Sequence, residues 1–126
     1  MKANTDGANT IRSSNIRFNN WTVYNGDDSL SLKANSTDIT IENSKFYNGL
    51  GISLGSIGQY SGQHETIERL SIRNCEFDNT LHALYVKTWT DDQNGYPPNG
   101  GGHGLGCELP GHFLCPEISK VLTVLP

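Results

Sequence analysis

The chain has 126 residues, 35% of them hydrophobic and 17% charged, with a formal net charge of −4. That size suits one domain or part of one, and an acidic balance without a Lys/Arg cluster argues against a nucleic-acid or anionic-membrane partner. No apolar run reaches the roughly 18 residues of a membrane span, and Met1-Lys2-Ala3-Asn4-Thr5-Asp6 is too polar to read as a signal peptide.

Ile16 and Phe18 form the first alternating apolar stretch. Asn20-x-x-Val23-x-Asn25 follows, and then the turn Asn25-Gly26, whose composition supplies positive-φ chemistry. Leu30 and Leu32 next alternate with Ser29, Ser31 and Lys33, the period-2 pattern of a half-buried strand. The cycle returns as Ile39 and Ile41, Asn43-x-x-Phe46-x-Asn48, then Ile52 and Leu54. It returns again as Leu70 and Ile72, Asn74-x-x-Phe77-x-Asn79, then Leu84 and Val86. The step from Asn20 to Asn43 is 23 residues and the step from Asn43 to Asn74 is 31. Each unit therefore reads as strand, Asn-bearing bend, short strand, turn, strand. Self-similarity at this period marks a solenoid. With strands and turns alone in the unit, the expected fold is all-β, a parallel β-helix of about three coils.

The predicted strands near 15–18, 38–42 and 69–73 stack as one sheet, and those near 29–32, 52–54 and 84–87 as another. The extra length of the second unit falls in the Gly- and Ser-rich stretch Gly55–Glu65, which reads as a loop. Residues 91–106 also read as loop. From Cys107 to Pro126 the alternation and the Asn positions are lost. Residues 1–106 are thus expected to be part of a β-helix domain and residues 107–126 an off-pattern tail. A solenoid of so few coils without an evident cap reads as an incomplete domain with little activity alone. The three cysteines, Cys75, Cys107 and Cys115, cannot all pair internally, and their spacing matches no zinc pattern.

The chemistry centres on Asp27-Asp28. Neighbours on a regular strand point to opposite faces, so two adjacent carboxylates converge only where the backbone bends, and Gly26 permits a bend. Stacking in register sets Gly49-Leu50-Gly51 and Leu81-His82-Ala83 at the equivalent place in the next two units. Asp6 lies about one coil before Asp27. Asp6, Asp27, Asp28 and Lys87 should then line one face at a coil spacing of about 4.8 Å. Taken singly, the Asp pair reads as a solvated turn and Lys87 as a surface lysine; the repeat is what joins them. Three carboxylates so close repel, and one is expected to hold its proton near neutral pH. A protonated acid and an ionised base across a groove are what glycoside hydrolysis requires.

Asn4-Thr5-Asp6-Gly7, Gly26-Asp27-Asp28 and Tyr85-Val86-Lys87-Thr88 resemble, in order, the motifs of the pectin-cleaving glycoside hydrolases of family 28, the polygalacturonase family. The resemblance runs from residue 3 to residue 106. Gly49-Leu50-Gly51, Gly55–Tyr60, Lys87–Thr90 and Tyr96–Gly101 are similar to its fungal exo-acting branch, which includes galacturan 1,4-α-galacturonidases and relatives proposed to act on rhamnogalacturonan. The resemblance implies a right-handed parallel β-helix, inverting hydrolysis, secretion, a monomer, no cofactor or metal, and a pectic polysaccharide or oligogalacturonide as partner. It implies that Asp27 is the general acid and that Asp6 and Asp28 hold and deprotonate the attacking water. It implies that Lys87 binds a galacturonate carboxylate, with Asn4 and Tyr85 among the substrate contacts. His82 faces either the groove or solvent and is a further candidate for a sugar contact. Leu50 stands where the polygalacturonases usually carry the His of Gly-His-Gly, and Tyr85 where they carry the Arg of Arg-x-Lys. Leucine cannot make the histidine's hydrogen bond, and tyrosine cannot form a bidentate fork to a carboxylate. The departures point to a different subsite sugar or an exo mode. Ser29 stands where the family often has Cys, so that disulfide is expected to be absent. Tyr60, Trp89 and Tyr96 either stack on sugar rings or pack on neighbouring coils, and Gly102-His103-Gly104 reads as loop glycine around a chance histidine. The competing readings are a solenoid fragment that binds pectin without cleaving it, and a calcium-dependent lyase of similar fold.

Overall fold

The computed structural model describes residues 4–58 and 65–88. Every regular element among them is a strand. A short β1 (Ala8–Thr10) precedes three rounds of three strands. The first round is β2 (Ser14–Asn19), β3 (Thr22–Tyr24) and β4 (Asp28–Leu32); the second is β5 (Ser36–Glu42), β6 (Lys45–Tyr47) and β7 (Gly51–Ile57). The third is β8 (Ile67–Arg73), β9 (Glu76–Asp78) and β10 (Leu84–Thr88). They form three parallel sheets in the orders β1-β4-β7-β10, β2-β5-β8 and β3-β6-β9. Each sheet takes one strand from each coil, which is a parallel β-helix.

The register explains why the pattern folds this way. Phe18 pairs Ile41, which pairs Ile72; Val23 pairs Phe46, which pairs Phe77; Leu30 pairs Ile52, which pairs Leu84. Like therefore stacks on like in the interior, and Leu30, Ile39, Ile41, Phe46 and Ile52 are fully buried. The Phe46 and Phe77 rings stack at 5.2 Å. At the first corner, Asn20, Asn43 and Asn74 take left-handed φ values of 60°, 51° and 51°, which asparagine tolerates better than most side chains. The amide of Asn74 donates to Asn43 at 2.6 Å, and that of Asn43 to Asn19 at 2.9 Å. At the second corner Asn79 donates to Asn48 at 2.8 Å. On the outside, Glu42 lies between Arg17 and Arg73 of the coils on either side.

Three features differ from the sequence reading. β1 has no alternation long enough to be seen in Ala8-Asn9-Thr10; it exists because β4 offers it a ladder. The short strands form a third sheet of their own. Gly55, Ser56 and Ile57 belong to β7 and not to a loop, because β10 pairs alongside them and the Ser31 and Ser53 hydroxyls donate to Gly55 O at 2.9 and 3.4 Å. Loop-like composition is overridden by those partners. The expectations for Tyr60, Trp89, Tyr96, His103, Cys107, Cys115 and the boundary at residue 106 lie outside the described residues. Cys75 is buried, its thiol against the carbonyls of Ile41 and Arg73.

If stacked aromatic rows hold the coils together, Phe46→Ala should cost roughly 3–5 kcal/mol, the usual range for a buried phenylalanine. Ile11→Ala, at a 58% exposed position, should change stability by less than about 0.5 kcal/mol. Urea unfolding followed by circular dichroism measures both.

Candidate active site

Asp27 lies in the bend that precedes β4, and that bend lets the adjacent carboxylates share a face. A β-bulge follows: Asp28 pairs Gly51, but the next pair is Leu30 with Ile52, so Ser29 is the extra residue and turns the strand beyond the pair. The expected left-handed turn at Asn25-Gly26 is not what bends the chain: the positive φ falls one coil on, at Asn48 and Gly49. The Asn25 turn is closed by side chains instead. Its amide donates to Asp27 O at 2.6 Å and Thr5 O at 3.2 Å, and Gly26 N–H donates to Thr5 Oγ1 at 3.0 Å. Gly49 lies so close above that a Cβ there would stand 2.4 Å from Asp27 O.

The three carboxylates meet. One oxygen from each of Asp6, Asp27 and Asp28 lies within 4.8 Å of the others. Asp6 is brought in by β1, with Gly7 N–H donating to Asp28 O at 2.9 Å. Asp27 is partly exposed, and both its oxygens are fixed by backbone donors: Asn4 N–H at 2.7 Å and Asp28 N–H at 2.9 Å. Asn4, expected to touch substrate, thus enters the site through its main chain. Asp28 is 3% exposed. Its Oδ2 accepts from Lys87 Nζ at 2.8 Å, and its Oδ1 accepts from the Tyr85 hydroxyl. The Lys87 ammonium also stands 5.3 Å from the centre of the Tyr85 ring. His82 is exposed and packs its ring 5.0 Å from that of Tyr85. Leu50 donates its N–H to Asp27 O and accepts from His82 N–H, so Asp27, Leu50 and His82 follow one another up the coils.

Asp28 is on β4 and Tyr85 and Lys87 are on β10, so both side chains must cross β7, about two coil spacings in all. They can cross because β7 alternates Gly51, Ser53 and Gly55 with the core residues Ile52 and Leu54. Ser53 pairs Tyr85 and Gly55 pairs Lys87. A Cβ on Gly55 would stand 2.0 Å from Lys87 O. The sequence reading missed this row, although Gly-x-Ser-x-Gly alternating with Ile and Leu was its visible signal. An open groove of about 750 Å³ runs beside the Asp27 turn, with Thr5, Gly26, Gly49 and Leu81 in its wall. The carboxylates lie next to that wall and not in it.

The electrostatics differ from three bare carboxylates. Burial pulls the Lys87 ammonium down, but its hydrogen bonds to Asp28 and Tyr85 outweigh that and hold it above its ordinary value. Burial, reinforced by the bond to Asp28, pushes the Tyr85 phenol up. The first partner of Lys87 is therefore inside the protein. The same three carboxylates are the set, among the described residues, whose oxygens could converge on a cation, and Lys87 already covers one side of that set. Both Lys87 and Tyr85 bind protons more tightly folded than at their ordinary values of 10.5 and 10.0. Their contribution to stability is then fully present below about pH 10 and is lost as pH rises through the folded values. Thermal unfolding between pH 8 and about pH 11.5 should show a falling midpoint, and Tyr85→Phe with Lys87→Met should flatten that fall.

The family model for Glycosyl hydrolases family 28 matches residues 1–95. The chain is 68% identical over 103 residues to an Alpha-L-rhamnosidase, rgxB, of Aspergillus niger, covering 82% of this chain and 24% of that protein. It is 40% identical over 108 residues to a Putative galacturan 1,4-alpha-galacturonidase A of Aspergillus flavus, covering 82% and 25%. It is 39% identical over 104 residues to an Exopolygalacturonase of Cochliobolus carbonum, covering 80% and 23%. The chain thus spans about a quarter of the length of these curated relatives. No solved structure matches it. With a parallel β-helix, three carboxylates brought together from neighbouring coils and a family match over most of its length, the chain belongs to glycosyl hydrolase family 28.

Proposed function

We propose that this chain supplies the catalytic face of a hydrolase that cuts α-glycosidic bonds of pectic polysaccharide from a chain end, with inversion. The observation that carries the hydrolase reading is the meeting of Asp6, Asp27 and Asp28 within 4.8 Å; inversion comes from the family resemblance and not from that spacing. Asp27, the more open of the adjacent pair, is the general acid: its proton goes to the glycosidic oxygen as the bond to the anomeric carbon breaks. Asp6 and Asp28 hold the water whose oxygen attacks that carbon from the opposite face, and one of them takes its proton. Two hydrogen bonds of about 2.8 Å let one water bridge oxygens up to roughly 5.6 Å apart, so the spacing suits a shared water. Lys87 and Tyr85 both donate to Asp28, which orients its carboxylate toward that water. A polymeric substrate supports action outside the cell. The names of the galacturonidase and exopolygalacturonase relatives support the exo mode.

A second reading concerns the sugar released. A galacturonate at the cluster would set a fourth carboxylate beside three, with Lys87 already paired to Asp28. Tyr85 supplies no fork for it. That charge balance, and the 68% identity to a protein named for rhamnosidase activity, favour terminal α-L-rhamnose on a rhamnogalacturonan chain over galacturonate.

The test is hydrolysis, by an enzyme of the relatives' length that carries this segment, of rhamnogalacturonan oligosaccharides ending in rhamnose, and of polygalacturonate, without calcium. Proton NMR of the first-formed sugar should show the anomer opposite to the substrate's. Asp27→Asn should lower turnover by roughly 10²- to 10⁴-fold. Unsaturated product, a retained anomer, or near-full activity in the variant would each overturn the mechanism. Release of galacturonate in preference to rhamnose would overturn the second reading alone, and binding without cleavage would leave a pectin-binding solenoid.

A further inference from the structure

We infer that Tyr85 is a positioning residue for Asp28, acting across the intervening coil through the small-residue row of β7; the inference rests on the hydrolase reading for its catalytic value. Three separate observations converge on it. The Tyr85 hydroxyl reaches Asp28 Oδ1, fifty-seven residues away in sequence. The path is clear because Gly51, Ser53 and Gly55 leave no bulky side chain between β10 and β4. The ring is flanked, with His82 at 5.0 Å and the Lys87 ammonium at 5.3 Å from its centre.

Asp28 is thereby gripped at both oxygens. Lys87 takes Oδ2 and Tyr85 takes Oδ1, which fixes the carboxyl plane as well as its place. Each oxygen keeps a second acceptor position. With one position on each committed, the free ones are set in direction, and a water shared with Asp6 is held at a defined angle. Lysine alone would leave the carboxyl free to rotate about its own bond. The raised phenol keeps its proton through the neutral range, so the donor is present wherever the acid and base pair works. Tyr85 neither touches the reacting atoms in this scheme nor transfers a proton.

The experiment compares wild type, Tyr85→Phe and Ser53→Leu. The first variant removes the hydroxyl and keeps the ring; the second keeps the hydroxyl and fills its path. Thr40→Val, on β5 of a different sheet, is the control. Each is made in that relative-length enzyme, labelled at the aspartate carboxyl carbons, read by carbon-13 NMR at pH 7 and assayed on the oligosaccharides above. Asp28→Asn assigns the signal. Expected for both variants is a shift of the Asp28 carboxyl signal, with kcat about 10- to 100-fold lower, the range of a lost hydrogen bond to a charged group, and KM within twofold. The control should match wild type. An unmoved Asp28 signal in Tyr85→Phe would overturn the inference. So would a moved signal with unchanged kcat, or a loss confined to KM, which would make Tyr85 a substrate contact. Absence of wild-type turnover would overturn the hydrolase reading and the catalytic value of the contact, while the carboxyl signal would still decide whether the contact exists.

Discussion

Coil-on-coil register is the constraint on which this structure depends. Parallel strands repeat at about 4.8 Å, so any two residues one coil apart are neighbours whatever their separation in the chain. Ile16, Ile39 and Leu70 stack because of it, as do Val23, Phe46 and Phe77. The same rule sets Asp6 beside Asp27 and Asp28, and carries Tyr85 and Lys87 to within reach of a carboxylate on β4. A slip of one residue in any coil would turn the core row outward and scatter the carboxylates together. Stability and site are therefore guarded by the same ladder.

The polar partners are arranged on two principles. Outside, Glu42 sits between Arg17 and Arg73, and Asp38 faces Arg69. The Asp38 and Arg69 side chains are both exposed, and a pair of that kind contributes little, whereas the Glu42 carboxylate is buried between its two arginines. At the site, Asp28 is buried and its partners are a cation and a phenol. Burying a charge is costly unless it is paired and hydrogen-bonded, and Asp28 has both forms of compensation. The value of that pairing lies in holding a reactive group in one orientation more than in adding stability.

Much of this was legible in the sequence, because the repeat is written in the two signals that sequences carry best. Alternation of Ile, Leu and Phe gave the core faces, and the recurring Asn gave the corners. Stacking those units placed Asp6, Asp27, Asp28 and Lys87 on one face before any coordinates. What was not legible depends on partners. Ala8-Asn9-Thr10 is a strand only because β4 lies beside it, and Gly55-Ser56-Ile57 only because β10 does. The bend at Asp27 is followed by a bulge at Ser29, which depends on how many residues of β4 face β7. Asn25-Gly26 looked like the hinge because its composition fits one, yet the left-handed positions went to Asn48 and Gly49. The pairing of Lys87 with Asp28 was hidden too: sequence shows which face a side chain lies on, but not whether its charge is already answered.

The bare row on β7 has a consequence for the order in which the site comes into being. Asp28 belongs to the first complete coil, and its two donors belong to the third. A nascent chain that has folded only through β7 holds three carboxylates with neither the ammonium nor the phenol to face them. Asp28 is then without the donors that offset the cost of burying its charge until β10 arrives. The third coil therefore does more than extend the stack: it locks the first. Synthesis from the N-terminus thus builds the scaffold first and completes the reactive centre late, so that a partly made chain carries the acids without the geometry that would make them useful.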